Sequence, residues 1–82
     1  IFAASGQTCI AGSRLLVQRS VHDQVVEAVV ALARTARLGD PAERATQVGP
    51  ITTREQRAKV LAYCDIAREE GAEAVLGGRV PE

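Results

Sequence analysis

Apolar residues open the chain as a run, Ile1-Phe2-Ala3-Ala4, which Gly6 interrupts after Ser5. This pattern reads as the end of a helix that a glycine stops. A short apolar block, Arg14-Leu15-Leu16-Val17-Gln18, lies between glycine and serine signals. Its length and flanks predict a buried strand. From Val21 the spacing turns helical, with Val25, Ala28, Val29, Leu32 and Ala36 on one face. Ser20 and Asp23 supply a capping-box-like start. Arg34 and Arg37 suit the negative end of the helix dipole, and Gly39 followed by Pro41 marks the stop.

Residues 39–52, rich in Gly, Asp, Pro and Thr, form a connection. Thr53 and Gln56 then make a second capping box, and a helix is predicted over about Arg54–Glu70. Val60, Cys64 and Ala67 lie on one face of it with Leu61 beside them, and Gly71 is a natural C-terminal cap. Ala74-Val75-Leu76 reads as a short strand ended by Gly77-Gly78. The predicted order is helix end, loop, strand, helix, helix, strand. That order argues for an α/β layer, with short parallel strands alternating with two main helices.

Composition narrows the field. The chain has 82 residues, enough for a single segment with a modest core. Apolar content is 46%, but much of it is alanine, and Phe2 and Tyr63 are the only aromatics. Ten basic and ten acidic residues cancel, so the basic excess of a nucleic-acid footprint is missing. No apolar run reaches the roughly 18 residues of a membrane span, and the start lacks a signal-peptide pattern. A cytoplasmic location is the expectation, with neither nucleic acid nor membrane as partner. Two cysteines, Cys9 and Cys64, are too few for a disulfide scaffold and read as free thiols. With His22 as the sole histidine, no metal-ligand spacing arises. The chain opens in mid-pattern without a methionine, which predicts a part of a longer protein.

The chemistry concentrates in Phe2-Ala3-Ala4-Ser5-Gly6-Gln7-Thr8-Cys9-Ile10-Ala11-Gly12-Ser13-Arg14. Here one cysteine lies between two glycines, with small residues around it. Bulk is withheld near the thiol, and glycine lets backbone N–H groups approach whatever binds there. A cysteine that attacks a carbonyl and then faces an oxyanion needs such surroundings. Thiolate is the attacking form. With no Lys or Arg within four residues of Cys9, helix termini and loop N–H groups are what remains to favour it. Cys64, on the apolar face of the second helix, reads as packing. His22 reads as an exposed residue without a partner. Arg68-Glu69-Glu70 reads as a solvated helix end.

The cysteine segment resembles the active-site signature of the aldehyde dehydrogenase superfamily, on Phe2, Gly6, Gln7, Cys9, Ala11 and Ser13. Further likeness follows in order: Gly12-Ser13-Arg14-Leu15-Leu16-Val17, Leu38-Gly39-Asp40-Pro41, Val48-Gly49-Pro50-Ile51, Glu70-Gly71-Ala72 and Gly77-Gly78. The resemblance covers essentially the whole chain. It implies part of a catalytic domain from the middle of a longer enzyme, residues 1–82 forming one segment of it. The cofactor-binding domain, the glutamate base and the asparagine of the oxyanion hole would lie outside it.

By that resemblance Cys9 is the nucleophile, and its backbone N–H is half of the oxyanion hole. Thr8 and Ile10 flank the thiol and by the same resemblance face the substrate tunnel; as residues alone they read equally as loop packing. Gln56 and Lys59 align with helix positions that reach the nicotinamide ribose in some members; as residues alone, Gln56 is a capping residue and Lys59 a solvated one. The cofactor implied is NAD or NADP, and the partners are an aldehyde, the remainder of the parent enzyme and further copies in a homo-oligomer. Two alternatives stay open. One is a member passing the acyl group to coenzyme A. The other is an inactive folding or assembly unit.

Overall fold

The computed structural model describes residues 1–81. It divides into two compact units, Ile1–Pro50 and the chain from Ile51 onward. Among the described residues there are two α-helices, α1 (His22–Ala33) and α2 (Arg54–Glu69), and two 3-10 turns, Ala3–Gly6 and Arg19–Val21.

The expected strands do not form among the described residues, and the α/β layer of short parallel strands is therefore corrected to two helices with connecting turns. The stretch after Gly12 carries no regular structure up to Gln18, which is extended at φ −60°, ψ 135°. A strand exists only through ladder bonds to a neighbour, and Leu15 and Leu16 have none here. Val75 and Leu76 lie in a bend. The one β-type pairing among the described residues is an isolated parallel bridge between Leu38 and Val48.

That bridge closes the connection after α1 into a compact loop. The Gly39 N–H donates to the Val48 carbonyl at 3.1 Å, and the Gln47 and Val48 N–H groups both donate to the Arg37 carbonyl. The Arg37 guanidinium Nε donates to the Ala45 carbonyl at 2.7 Å, and the Gln47 side-chain oxygen accepts from the Arg37 N–H. Asp40 caps the turn within, accepting from the Ala42 N–H at 2.8 Å. Polar residues that read only as a linker thus satisfy one another locally.

The ends of α1 differ from expectation. Ser20 lies inside the preceding 3-10 turn, so Val21 occupies the N-cap position, with no side-chain bond. The Asp23 carboxylate instead accepts from the His22 ring, Nδ1 to Oδ1 at 3.0 Å. At the other end the helix stops at Ala33, before Gly39. There the Thr35 hydroxyl donates to the Leu32 carbonyl at 2.7 Å, and the Thr35 and Ala36 amides make tighter i→i−3 bonds.

α2 follows its sequence closely. Thr53 is extended, and its hydroxyl accepts from the Gln56 N–H at 3.1 Å. Gly71, at φ 85°, ends the helix. Ala72 N–H donates to the Ala67 carbonyl and Gly71 N–H to the Arg68 carbonyl, the paired bonds of a Schellman motif. Arg68 is not merely solvated. Its guanidinium bonds the Asp65 carboxylate and the Gly78 carbonyl, tying the glycine pair back to the helix.

No described residue is buried. Leu61, Cys64 and Ala67 on α2, and Val25, Val26 and Val30 on α1, are half-covered. Leu16 and Leu32 remain 88% and 71% exposed.

Candidate functional site

The segment before Cys9 departs most sharply from the sequence reading. Rather than the end of a right-handed helix, Ala3–Gly6 is a turn with three successive left-handed residues: Ala4 (φ 51°, ψ 40°), Ser5 (φ 55°, ψ 33°) and Gly6 (φ 76°). Glycine takes that region freely, but alanine and serine pay a steric penalty of about 1–2 kcal/mol each. Their small side chains keep the penalty near its minimum, and bonds from the next two residues hold the turn. The Gln7 N–H donates to the Ala4 carbonyl at 3.1 Å. The Gln7 side-chain amide reaches the same carbonyl at 3.5 Å, and the Thr8 hydroxyl donates to the Ala3 carbonyl at 3.4 Å. The two side-chain bonds are long, and so weak singly.

A second turn follows at once. The Ala11 N–H donates to the Thr8 carbonyl at 3.1 Å, which places Cys9 and Ile10 at its two central positions. Cys9 is a free thiol and exposed. Its backbone N–H donates to no other main-chain carbonyl among the described residues, so it is available to a ligand oxygen. Ser13 closes the far side, its hydroxyl donating to the Ala11 carbonyl. The arrangement presents a thiol and its own N–H on a tight tip.

Phe2 and Ala3 lead into the left-handed turn. These line an open cleft of about 350 Å³ with Leu32, Thr35 and Ala36 from the end of α1, and with Gln47 and Val48 from the bridged loop. The early unwinding of α1 and the Leu38–Val48 bridge therefore shape the cleft that Phe2 and Ala3 enter.

The sequence-predicted residues divide into two groups. Thr8, Cys9 and Ile10 share one turn in the first unit. Ile10 is 89% exposed, whereas Thr8 is half-buried with its hydroxyl turned back into the chain. Gln56 and Lys59 lie one turn apart on α2, on the same face and both exposed. The Gln56 backbone serves the N-cap, which leaves its amide side chain a separate task. Cys64 is half-covered and lines a small cavity of about 110 Å³ with Ala67, Arg68 and Ala74. His22 does have a carboxylate partner in Asp23, but both side chains are exposed and such a pair contributes little. No group of three metal-ligating side chains occurs among the described residues, and no helix there is long and apolar enough to cross a membrane. Sequence reasoning missed the left-handed turn and the Thr8–Ala3 bond. The available signal was Gly6 after two small residues.

The model of the aldehyde dehydrogenase family matches residues 1–82. The chain belongs to that family. Among curated relatives, the betaine aldehyde dehydrogenase of Bacillus subtilis is 44% identical over 82 residues, covering 100% of this chain and 17% of the relative. That of Brucella anthropi is 42% identical over 81 residues, covering 99% of this chain and 17% of the relative. A crystal structure of the Staphylococcus aureus betaine aldehyde dehydrogenase in complex with NAD+ superposes with a TM-score of 0.87 at 39% identity. It covers 94% of this chain and 15% of that one. A point mutant of the same enzyme, with NAD+ and a BME-modified cysteine, gives a TM-score of 0.87 over 94% of this chain. The chain thus spans about a sixth of the length of the aldehyde dehydrogenases it matches. Its fold is that of the matching part of those enzymes.

Proposed function

We propose that this chain is the nucleophile-bearing segment of an NAD(P)-dependent aldehyde dehydrogenase, with Cys9 as the attacking thiol. Family membership supports oxidation of an aldehyde. The observation that carries the residue assignment is the turn Thr8–Ala11, which exposes the Cys9 thiol beside its own unengaged N–H.

The Cys9 thiolate adds to the aldehyde carbon, and the carbonyl π electrons move to oxygen. The Cys9 N–H donates to that oxyanion, a role worth about 3–4 kcal/mol per donor in well-formed sites. The resulting thiohemiacetal is a tetrahedral centre held on sulfur. NAD(P)+ supplies, when bound, the acceptor of the hydride that leaves this carbon. Cys9 then carries a thioester. Water attacks it, the C–S bond breaks, the acid departs, and the thiolate returns. The balance is aldehyde, water and oxidised cofactor to carboxylic acid, reduced cofactor and a proton.

The exposed amide of Gln56 and ammonium of Lys59 suit the cofactor chemically, since both donate hydrogen bonds to ribose hydroxyls and Lys59 also favours phosphate. They are the residues here that would hold it. Thr8 and Ile10 flank the thiol, and the fully presented Ile10 side chain is the one fit to touch a substrate's apolar part. The relatives' names make betaine aldehyde the first substrate to test. The BME-modified cysteine of the Staphylococcus aureus relative is the behaviour of an accessible thiol, and of the two cysteines here Cys9 is the exposed one.

The deciding experiment is Cys9→Ala in the full-length enzyme, assayed for reduction of NAD+ and NADP+ with betaine aldehyde. Turnover should fall to background while cofactor binding persists. Turnover within tenfold of the parent would defeat the assignment of the nucleophile.

A further inference from the structure

We infer that Thr8 is a positioning residue for Cys9, acting through the left-handed turn rather than as a wall of the substrate tunnel; the inference rests on the reading of Cys9 as nucleophile. The backbone at Ala4 and Ser5 occupies a region that L-residues avoid, and it does so in the turn immediately before the one that carries the thiol. Strain of this kind persists only where surrounding bonds over-determine it. The bonds in question come from the residues between the strained turn and Cys9. The Gln7 N–H and side-chain amide both address the Ala4 carbonyl, and the Thr8 hydroxyl addresses the Ala3 carbonyl.

Thr8 occupies a junction. Its hydroxyl closes the left-handed turn behind it, and its carbonyl accepts the Ala11 N–H that closes the turn carrying Cys9. One residue therefore fixes the orientation of one turn relative to the next. Its half-burial agrees with a side chain directed into the chain, whereas Ile10 on the other flank is 89% exposed. The Cys9 N–H points where the second turn aims it. If the Thr8 hydroxyl is lost, Ala4 and Ser5 relax toward negative φ, and the tip carrying the thiol and its N–H changes direction.

The test uses the full-length enzyme with Thr8→Val, which keeps the shape and removes the donor, and Thr8→Ser, which keeps the donor. Three readouts are needed: kcat and KM for the aldehyde, thermal midpoint, and the iodoacetamide alkylation rate of Cys9 against pH with Cys64 as internal control. Thr8→Val should lower kcat and Cys9 alkylation by about twofold to threefold, the low end of the range for one lost hydrogen bond and in keeping with its length, with KM unchanged. Thr8→Ser should restore both. Adding Ala4→Gly to Thr8→Val should recover part of the loss, since glycine holds φ near 51° without the bond.

A rise in KM with unchanged kcat would make Thr8 a tunnel wall and overturn the inference. So would parental rates in Thr8→Val, or no recovery on adding Ala4→Gly. Alkylation does not depend on turnover. If Cys9→Ala retained activity, the nucleophile assignment would fall while the alkylation rates still decided whether Thr8 positions the thiol.

Discussion

Gly39 shows how a single atom constrains the bridged loop after α1. A Cβ built there would lie 2.9 Å from the Thr46 hydroxyl oxygen, closer than real Cβ contacts come. The nearest remaining atoms are Thr46 Cβ and Cγ2, both at 3.9 Å, so the clash is with one atom alone. Gly39→Ala should therefore strain the Leu38–Val48 bridge, at a cost of about 1–3 kcal/mol for overpacking. Most of that cost should vanish when Thr46→Ala is added, a coupling that a double-mutant cycle reads directly. Amide exchange is the measurement. The Gly39 N–H, bonded to the Val48 carbonyl, should exchange about tenfold faster for each 1.4 kcal/mol of local destabilisation. Additive effects of the two substitutions would mean that the hydroxyl contact does not set the cost. Since Val48 lines the cleft with Phe2 and Ala3, faster exchange here marks a looser wall of that cleft.

At the scale of elements, legibility followed how local the determining bonds are. The start of α2 was readable because Thr53 binds the Gln56 amide within one turn, and its end because Gly71 serves the Schellman bonds to Arg68 and Ala67. α1 was placed correctly in the chain, but Ser20 did not cap it, because the 3-10 turn Arg19–Val21 took that serine inside. The block from Arg14 to Gln18 was misread as a strand because a strand's identity resides in a neighbour. The left-handed turn escaped notice because Ala4 and Ser5 carry no local preference for it; Gly6 alone did. Cys9 stands out in the sequence as a candidate because its small, glycine-flanked surroundings are a property of neighbours in sequence. The two ends of α2 yield a paired prediction. Thr53→Ala should cost about 1 kcal/mol and speed exchange at Gln56. Gly71→Ala, forcing φ 85° on alanine, should cost about 1–2 kcal/mol and speed exchange at Ala72. Each effect should stay at its own end of the helix, and equal changes at both ends would contradict local capping.

For the whole molecule the governing fact is the absence of any buried side chain among the described residues. Ile10, Leu15, Leu16, Leu32 and Leu38 all present more than half their surface, so apolar area that stabilises folded domains remains in water. Each fully buried aliphatic side chain contributes about 1.5–3 kcal/mol, and folding must also offset about 1–2 kcal/mol of backbone entropy per ordered residue. An 82-residue chain leaving most of its leucines exposed has little surplus, and exposed apolar surface favours association. The extended stretch before Gln18 adds unpaired backbone donors and acceptors, a template for pairing with another chain. Expressed alone, the 82 residues should therefore form concentration-dependent oligomers in sedimentation velocity. They should also enhance ANS fluorescence and show helical far-UV circular dichroism with little near-UV signal. Leu16→Lys together with Leu32→Lys should reduce association by placing charge on two of the most exposed apolar positions. A monodisperse monomer at high concentration that excludes ANS would show instead that the helices and the bridged loop suffice for an independent fold.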